Sequence, residues 1–154
     1  MQKIAKFYKV SEKQFIADWC AETGCSVSEA KTAYQKIRLP RRATVGSAGY
    51  DFFAPEAFSL VPHETIKIPT GIRAEIAEGW VLQIYPRSGL GFKYRLQMDN
   101  TVGIIDSDYF SAKNEGHIFI KMTNCSRKGK TLSIGAGEGF AQGIFLPFGI
   151  TEDD

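Results

Sequence analysis

Pro86-Arg-Ser-Gly-Leu-Gly-Phe-Lys-Tyr-Arg-Leu-Gln-Met-Asp-Asn-Thr-Val-Gly-Ile-Ile-Asp-Ser-Asp-Tyr109 is the stretch around which the chain is organised. Its first half brings a fixed cation, a hydroxyl and an open backbone N–H together at Arg87, Ser88 and Gly89, on a bend. Phosphate oxygens take charge-assisted bonds from guanidinium and further bonds from backbone amides, so this set suits a phosphate. The second half carries different chemistry. Asn100 is an amide that both donates and accepts, and Gly103 lets the backbone approach a flat ligand. Asp106 follows Ile104 and Ile105, which places it at the end of an apolar strand, and Tyr109 adds an aromatic face. Any one of these residues alone would fit an ordinary hairpin with polar surface residues. The ordered set points to a nucleotide site.

The rest of the composition narrows the classes. A chain of 154 residues fits one domain with a sizeable core. A net charge of +2 argues against a dedicated duplex-binding protein, so no nucleic-acid partner is expected. No apolar run approaches the about 20 residues that span a membrane, and lysines interrupt the N-terminal apolar residues, unlike a signal peptide. The cytoplasm is therefore the expected compartment, with no membrane partner. Cys20, Cys25 and Cys125 are odd in number and fit reduced thiols. Cys20 and Cys25 could make a metal half-site, but no second Cys/His pair stands near them in sequence.

Residues 3–10 read as a strand. Ser11 with Gln14, then Phe15, Ile16, Trp19 and Cys20, predict a capped amphipathic helix that Gly24 ends. Ser26 with Glu29, then Val27, Ala30, Tyr34 and Ile37, predict a second. Residues 11–36 thus form a helical hairpin too small to stand alone, whose apolar face packs on a sheet or a partner. From Pro40 the chain reads as β. Candidate strands lie at 50–53, 65–68, 72–76, 80–85, 95–98, 117–123, 131–134 and 144–146. Ile118, Ile120 and Met122 alternate with His117, Phe119 and Lys121, as in a half-buried strand. Many short strands between turn signals predict an all-β jelly roll or barrel. Residues 127–130 read as a basic solvated turn. His63 and His117 read as surface or strand histidines, because two isolated histidines make no ligand set.

Four pieces of sequence in fixed order resemble the trimeric dUTP diphosphatases (dUTPases). Pro86-Arg-Ser-Gly-Leu-Gly91 resembles the family's second motif and Asn100-Thr-Val-Gly-Ile-Ile-Asp-Ser-Asp-Tyr109 its third. Ser47-Ala-Gly-Tyr-Asp51, led in by Leu39-Pro-Arg-Arg-Ala-Thr44, resembles the first. Gly137-Glu-Gly-Phe-Ala-Gln142 resembles the fourth. Thr70-Gly-Ile-Arg73 and Glu78-Gly-Trp80 resemble the turns that precede the second. The resemblance covers roughly residues 37–148, and the order makes it far more specific than a lone Arg-Ser-Gly.

The resemblance implies a distorted jelly-roll (β-clip) fold. It also implies a homotrimer with sites between subunits, and Mg²⁺-dependent cleavage of dUTP to dUMP and pyrophosphate. Asp106 would be the general base. Asn100 and backbone groups around Gly103, Ile104 and Ile105 would read the uracil, with Phe119 touching the base through its backbone. Tyr109 would stack under the deoxyribose and exclude a 2′-hydroxyl. Arg87, Ser88, Gly89 and Gln142 would hold phosphates, and Asp51 would order the site or metal-bound waters. The chain would give the metal no direct ligand, leaving Mg²⁺ on the triphosphate and water.

The chain also departs from the family pattern. Residues 110–115 separate Tyr109 from Gly116, a longer turn than usual. Gly139 stands where the fourth motif carries Arg. The helical hairpin is an addition. The Gly-rich, Arg-containing arm that forms the fifth motif is not found before Asp154. Either an arm lies beyond this sequence or the chain works without one, in which case turnover suffers more than binding. Two other readings stay open: a nucleotide-binding sensor built on the same body, and a dCTP deaminase-like enzyme, which would need a glutamate near the base-reading segment.

Overall fold

The structure is a computed structural model that describes residues 1–154. Twelve strands occur along the chain: β1 Ala5–Lys9, β2 Arg41–Arg42, β3 Tyr50–Phe53, β4 Phe58–Leu60, β5 Thr65–Pro69 and β6 Ile72–Ile76, then β7 Trp80–Pro86, β8 Leu96–Met98, β9 Gly103–Ile105, β10 Phe119–Asn124, β11 Leu132–Ile134 and β12 Gly139–Pro147. Helices α1 (Glu12–Thr23) and α2 (Val27–Lys36) follow β1, and a third helix, α3 (Ser88–Tyr94), follows β7. The strands form one five-stranded sheet, ordered β2-β3-β12-β7-β9, and three smaller ones: β1-β6, β5-β10-β8 and β11-β4. Every pairing is antiparallel, giving the jelly-roll-like β fold expected. No helix is long and apolar enough to cross a membrane.

The helical hairpin forms as its caps dictate. Ser11 Oγ accepts from the Gln14 N–H at 3.1 Å, Ser26 Oγ accepts from the Glu29 N–H at 3.1 Å, and Gly24 closes α1 at φ 70°. The first capping box is only half made within the helix. Gln14 turns instead to Asp18, at 2.9 Å, and the Ser11 N–H donates to Glu115 Oε1 at 2.8 Å. Phe15 and Trp19 of α1 and Ala30 and Ala33 of α2 are buried in the same cluster as Phe52, Leu82, Ile84 and Phe140 of the sheet. The hairpin's apolar face therefore packs on the body. Fully burying a side chain such as Phe15 contributes about 1.5–3 kcal/mol. Val27, expected on that face, is exposed, and Ala33 takes its place.

Gly71 fixes how closely the hairpin approaches. It has φ 75°, and a Cβ there would collide with Ile37 Cδ1 and lie 3.3 Å from Phe15 Cδ2. Its carbonyl accepts from the Val10 N–H at 2.9 Å.

His117 departs from expectation. It precedes β10 rather than lying in it, and it is fully buried. Helix α1 closes over it: Asp18 Oδ2 lies 2.6 Å from Nδ1, while Nε2 accepts from the Gly71 N–H at 2.8 Å. The Phe119 ring stands edge-on at 4.8 Å. An Nε2 that accepts carries no proton, so the ring is the neutral Nδ1–H tautomer, donating to Asp18. Burial pushes its pKa below the usual histidine value, against the opposing pull of Asp18 and Glu115.

Candidate active site

The phosphate-type residues gather where β3, β12 and the end of β7 meet. Gln142 pairs with Asp51 on one side and Tyr85 on the other. Its Nε2 donates to the Pro86 carbonyl at 3.1 Å, and its Oε1 fills the space that a Cβ at Gly49 would need. Arg87 follows β7 directly. Its Nε lies 3.3 Å from Asp51 Oδ1 and its Nη1 donates to the Gly139 carbonyl at 3.2 Å. A Cβ at Gly139 would come within 3.0 Å of that Nη1, so the glycine in the fourth motif leaves room for the Arg87 guanidinium.

Ser88 and Gly89 open α3, where the first N–H groups have no acceptor inside the helix. No atom outside the adjoining chain lies within 4 Å of where a Gly89 Cβ would stand. The sequence predicts only a bend here. The helix forms despite Gly89 and Gly91, closed by Arg95 in the left-handed region at φ 52°, whose N–H donates to Gly91. Beside it lies a groove of about 540 Å³ lined in part by Tyr85, Arg87, Ser88, Phe92 and Gln142. Tyr85 and the almost fully exposed Phe92 were not singled out from sequence, because a lone aromatic in a strand or beside a glycine reads as core.

The second group runs from Asn100 along β9, where Gly103 pairs with Ile84, to Asp106 and Tyr109. Ile105 pairs with Leu82, so Asp106 leaves the sheet near the start of β7. Asp106 is exposed at the entry to a 3₁₀ turn, Ser107–Ser111, and its carboxylate makes no capping bond. Asp108 lies within this turn, not in an extended segment. Asn100 is exposed in the turn after β8, and the neighbouring Asp99 N–H donates to the Lys121 carbonyl at 3.0 Å, which ties this turn to β10 and to Phe119 at its start. Ile104 is exposed and Ile105 half-buried. The side-chain space at Gly103 faces the core, where a Cβ would meet Ile84 Cβ at 3.0 Å. Packing against β7 is therefore what requires this glycine.

Tyr109 is half-buried and held by its hydroxyl. It donates to the His117 carbonyl at 2.7 Å and accepts from Asn114 Nδ2 at 2.8 Å. Glu115 accepts from the Ser11 hydroxyl at 2.6 Å and from its N–H. Burial alone would raise the Glu115 pKa, but the two Ser11 bonds and the Arg73 charge outweigh it and hold the carboxyl below its usual value. Asn114, Glu115 and Asp18 carry no signal in sequence, since their partners lie on distant segments.

Within one chain Asp106 stands well away from Arg87 along β7, whereas Gly103, opposite Ile84, is only three residues, about 10 Å, from it. From Leu82, opposite Ile105, to Arg87 the strand advances about 17 Å at ~3.3 Å per residue. Cys20 and Cys25, with sulfurs 3.7 Å apart, are joined by no third ligand.

The profile of one family, described as dUTPase, matches residues 35–152. The chain belongs to the dUTPase family. A deoxyuridine 5′-triphosphate nucleotidohydrolase of Lactococcus lactis subsp. lactis is 41% identical over 129 residues, covering 82% of this chain and 85% of that protein. Its counterpart in Actinobacillus succinogenes is 43% identical over 112 residues, covering 71% and 70%. The dUTPase crystal structure from Streptococcus mutans superposes with a TM-score of 0.65 at 37% identity, over 77% of this chain and 91% of that one. A dUTPase from phage phi11 of S. aureus, at 23% identity, shares the fold with a TM-score of 0.68 over 97% of this chain and 94% of its own. The dUTPase body therefore includes both groups of residues.

Proposed function

We infer that this dUTPase-family protein hydrolyses dUTP to dUMP and pyrophosphate, with one domain spanning residues 1–154 carrying the activity. The observation that carries the reading is Asp106: an exposed carboxylate at the end of an apolar strand, free of any capping bond. Such a carboxylate can hold a water and take its proton as the water oxygen bonds to the α-phosphorus. The bond from that phosphorus to the bridging oxygen then breaks and pyrophosphate leaves. A positioned base contributes about 10²–10⁴-fold.

Asn100 and the backbone of Gly103, Ile104 and Ile105 read the uracil edge, with the Phe119 backbone beside them. Tyr109 lies under the deoxyribose, where a 2′-hydroxyl would collide with it. Arg87, the Ser88 hydroxyl, the Gly89 N–H and Gln142 hold phosphate oxygens, and Asp51 orients Arg87 for that task. The distance of about 17 Å along β7 between Arg87 and the position opposite Ile105, next to Asp106, supports a composite site, with the phosphate group of one subunit facing Asp106 of another. A closed homotrimer would complete three such sites.

The donor set fits Mg²⁺ carried by the substrate. Around Asp51 and Gln142 the chain offers a few oxygens, and no three His, Cys, Asp or Glu side chains converge to cage an ion. Mg²⁺ keeps several waters and binds phosphates readily. When bound, it neutralises charge on the triphosphate. A deaminase would need a free glutamate beside the base reader. Glu115, the glutamate that follows Tyr109, is engaged twice by Ser11.

Pyrophosphate release from dUTP, dCTP, dTTP and UTP with Mg²⁺ tests this. Rapid release from dUTP alone is expected. Equal release from all four, or none from dUTP while it still binds, would overturn it.

A further inference from the structure

Tyr109 is fixed from two sides by segments that have no part in the proposed chemistry. Its hydroxyl is gripped by the His117 carbonyl and the Asn114 carboxamide. Asn114 is itself set by accepting from the Gly116 N–H at 3.1 Å. The chain doubles back so tightly that a Cβ at Gly116 (φ 70°) would lie 2.5 Å from the Tyr109 carbonyl oxygen. Next to Tyr109, the Phe110 carbonyl accepts from Arg73 at 2.6 Å and the Arg73 guanidinium lies 3.7 Å from the Phe110 ring centroid. The anchor at His117 is in turn set by helix α1. Asp18 holds Nδ1 at 2.6 Å, the Gly71 N–H holds Nε2, and Ser11 at the helix cap holds Glu115. The N-terminal helices thus grip the 109–117 loop at two of its residues, and that loop grips the tyrosine.

We propose that Asp18, His117 and Asn114 are positioning residues for sugar selection, and that the N-terminal helices take part in telling a deoxyribose from a ribose. The proposal rests on the reading that Tyr109 packs under the sugar. The physical need is clear. An apolar contact rejects one extra hydroxyl only weakly, and a tyrosine free to shift would reject it less still. Rejecting ribose by shape requires a ring that cannot move away, and the two hydroxyl bonds supply that. Asp18 acts through His117, whose carbonyl meets Tyr109 while its ring is held from the opposite side.

The test compares kcat/KM for dUTP with that for UTP in the full chain carrying Asp18→Ala, Asp18→Asn, Asn114→Ala, Tyr109→Ala or Glu22→Ala. Glu22 ties the same helix to Lys67 at 2.8 Å and makes no hydrogen bond to His117 or to the 109–117 loop, so its loss reports on helix docking. Losing one anchoring bond should lower the dUTP/UTP ratio roughly three- to tenfold in Asp18→Ala and Asn114→Ala. Asp18→Asn, which still accepts from Nδ1–H, should restore it, and Glu22→Ala should leave it unchanged. If Tyr109→Ala lowers the ratio while Asn114→Ala and Asp18→Ala do not, the positioning proposal is wrong and the tyrosine reading stands. An equal fall in Glu22→Ala also overturns it, since docking alone would then account for the effect. If Tyr109→Ala itself leaves the ratio unchanged, both fall together. Should Asp18→Ala not fold, Asn114→Ala, which touches the tyrosine directly, carries the test.

Discussion

Acid should loosen the helical hairpin first, through His117. In the fold its Nε2 is occupied by the Gly71 N–H and burial holds its pKa below the ordinary value of about 6.5. In the unfolded chain it takes a proton at that ordinary value. Below about pH 6.5 the unfolded chain therefore binds more protons than the folded one, and stability falls as pH falls. At pH 7.5 the loss from this group is under ~0.1 kcal/mol. At pH 5.5 its ceiling, reached by a ring that stays wholly neutral in the fold, is about 1.4 kcal/mol. The Glu115 carboxyl, also held below its usual value, adds its own loss only at lower pH, as it takes up a proton. His117→Gln keeps one acceptor for Gly71 and one donor for Asp18, with nothing to titrate. Urea unfolding at pH 7.5 and 5.5, at one protein concentration, should show the natural chain losing more than the variant between the two, by no more than about 1.4 kcal/mol. Identical pH dependence in the two proteins would refute the neutral buried histidine.

Tyr109→Ala should raise kcat/KM for UTP relative to dUTP, read from parallel kinetics; an unchanged ratio would remove Tyr109 from sugar selection. Arg87→Gln should weaken dUTP binding roughly 10- to 150-fold, the worth of one charge-assisted bond, and calorimetry at several salt concentrations checks it. Gly71→Ala combines a left-handed φ of 75° with a collision against Ile37, so it should destabilise the protein by about 2–4 kcal/mol in denaturant melts.

Much of this was legible along the chain because it depends on neighbours in sequence. The alternation of Ile118, Ile120 and Met122 marks β10, and all three are fully buried. Ser11, Ser26 and Gly24 mark the helix ends through bonds three or four residues long. Asp106 follows β9 because two isoleucines make a strand of it. Other features depend on distant partners. Helix α3 contains Gly89 and Gly91, which propensity alone disfavours, and it is closed by Arg95. The burial of His117 comes from Asp18, 99 residues earlier. Strands β2 and β4 are too short to show a period. The separation of Asp106 from Arg87 along β7 emerges only from strand register, so two residues of one contiguous stretch stand at two ends of a strand.

The most direct test is dUTP turnover by Asp106→Asn beside the natural chain, with Mg²⁺, together with dUTP binding by calorimetry. Removing the base while keeping the shape should cut pyrophosphate release by about 10²–10⁴-fold and leave binding nearly unchanged. Turnover equal to that of the natural chain would contradict the mechanism.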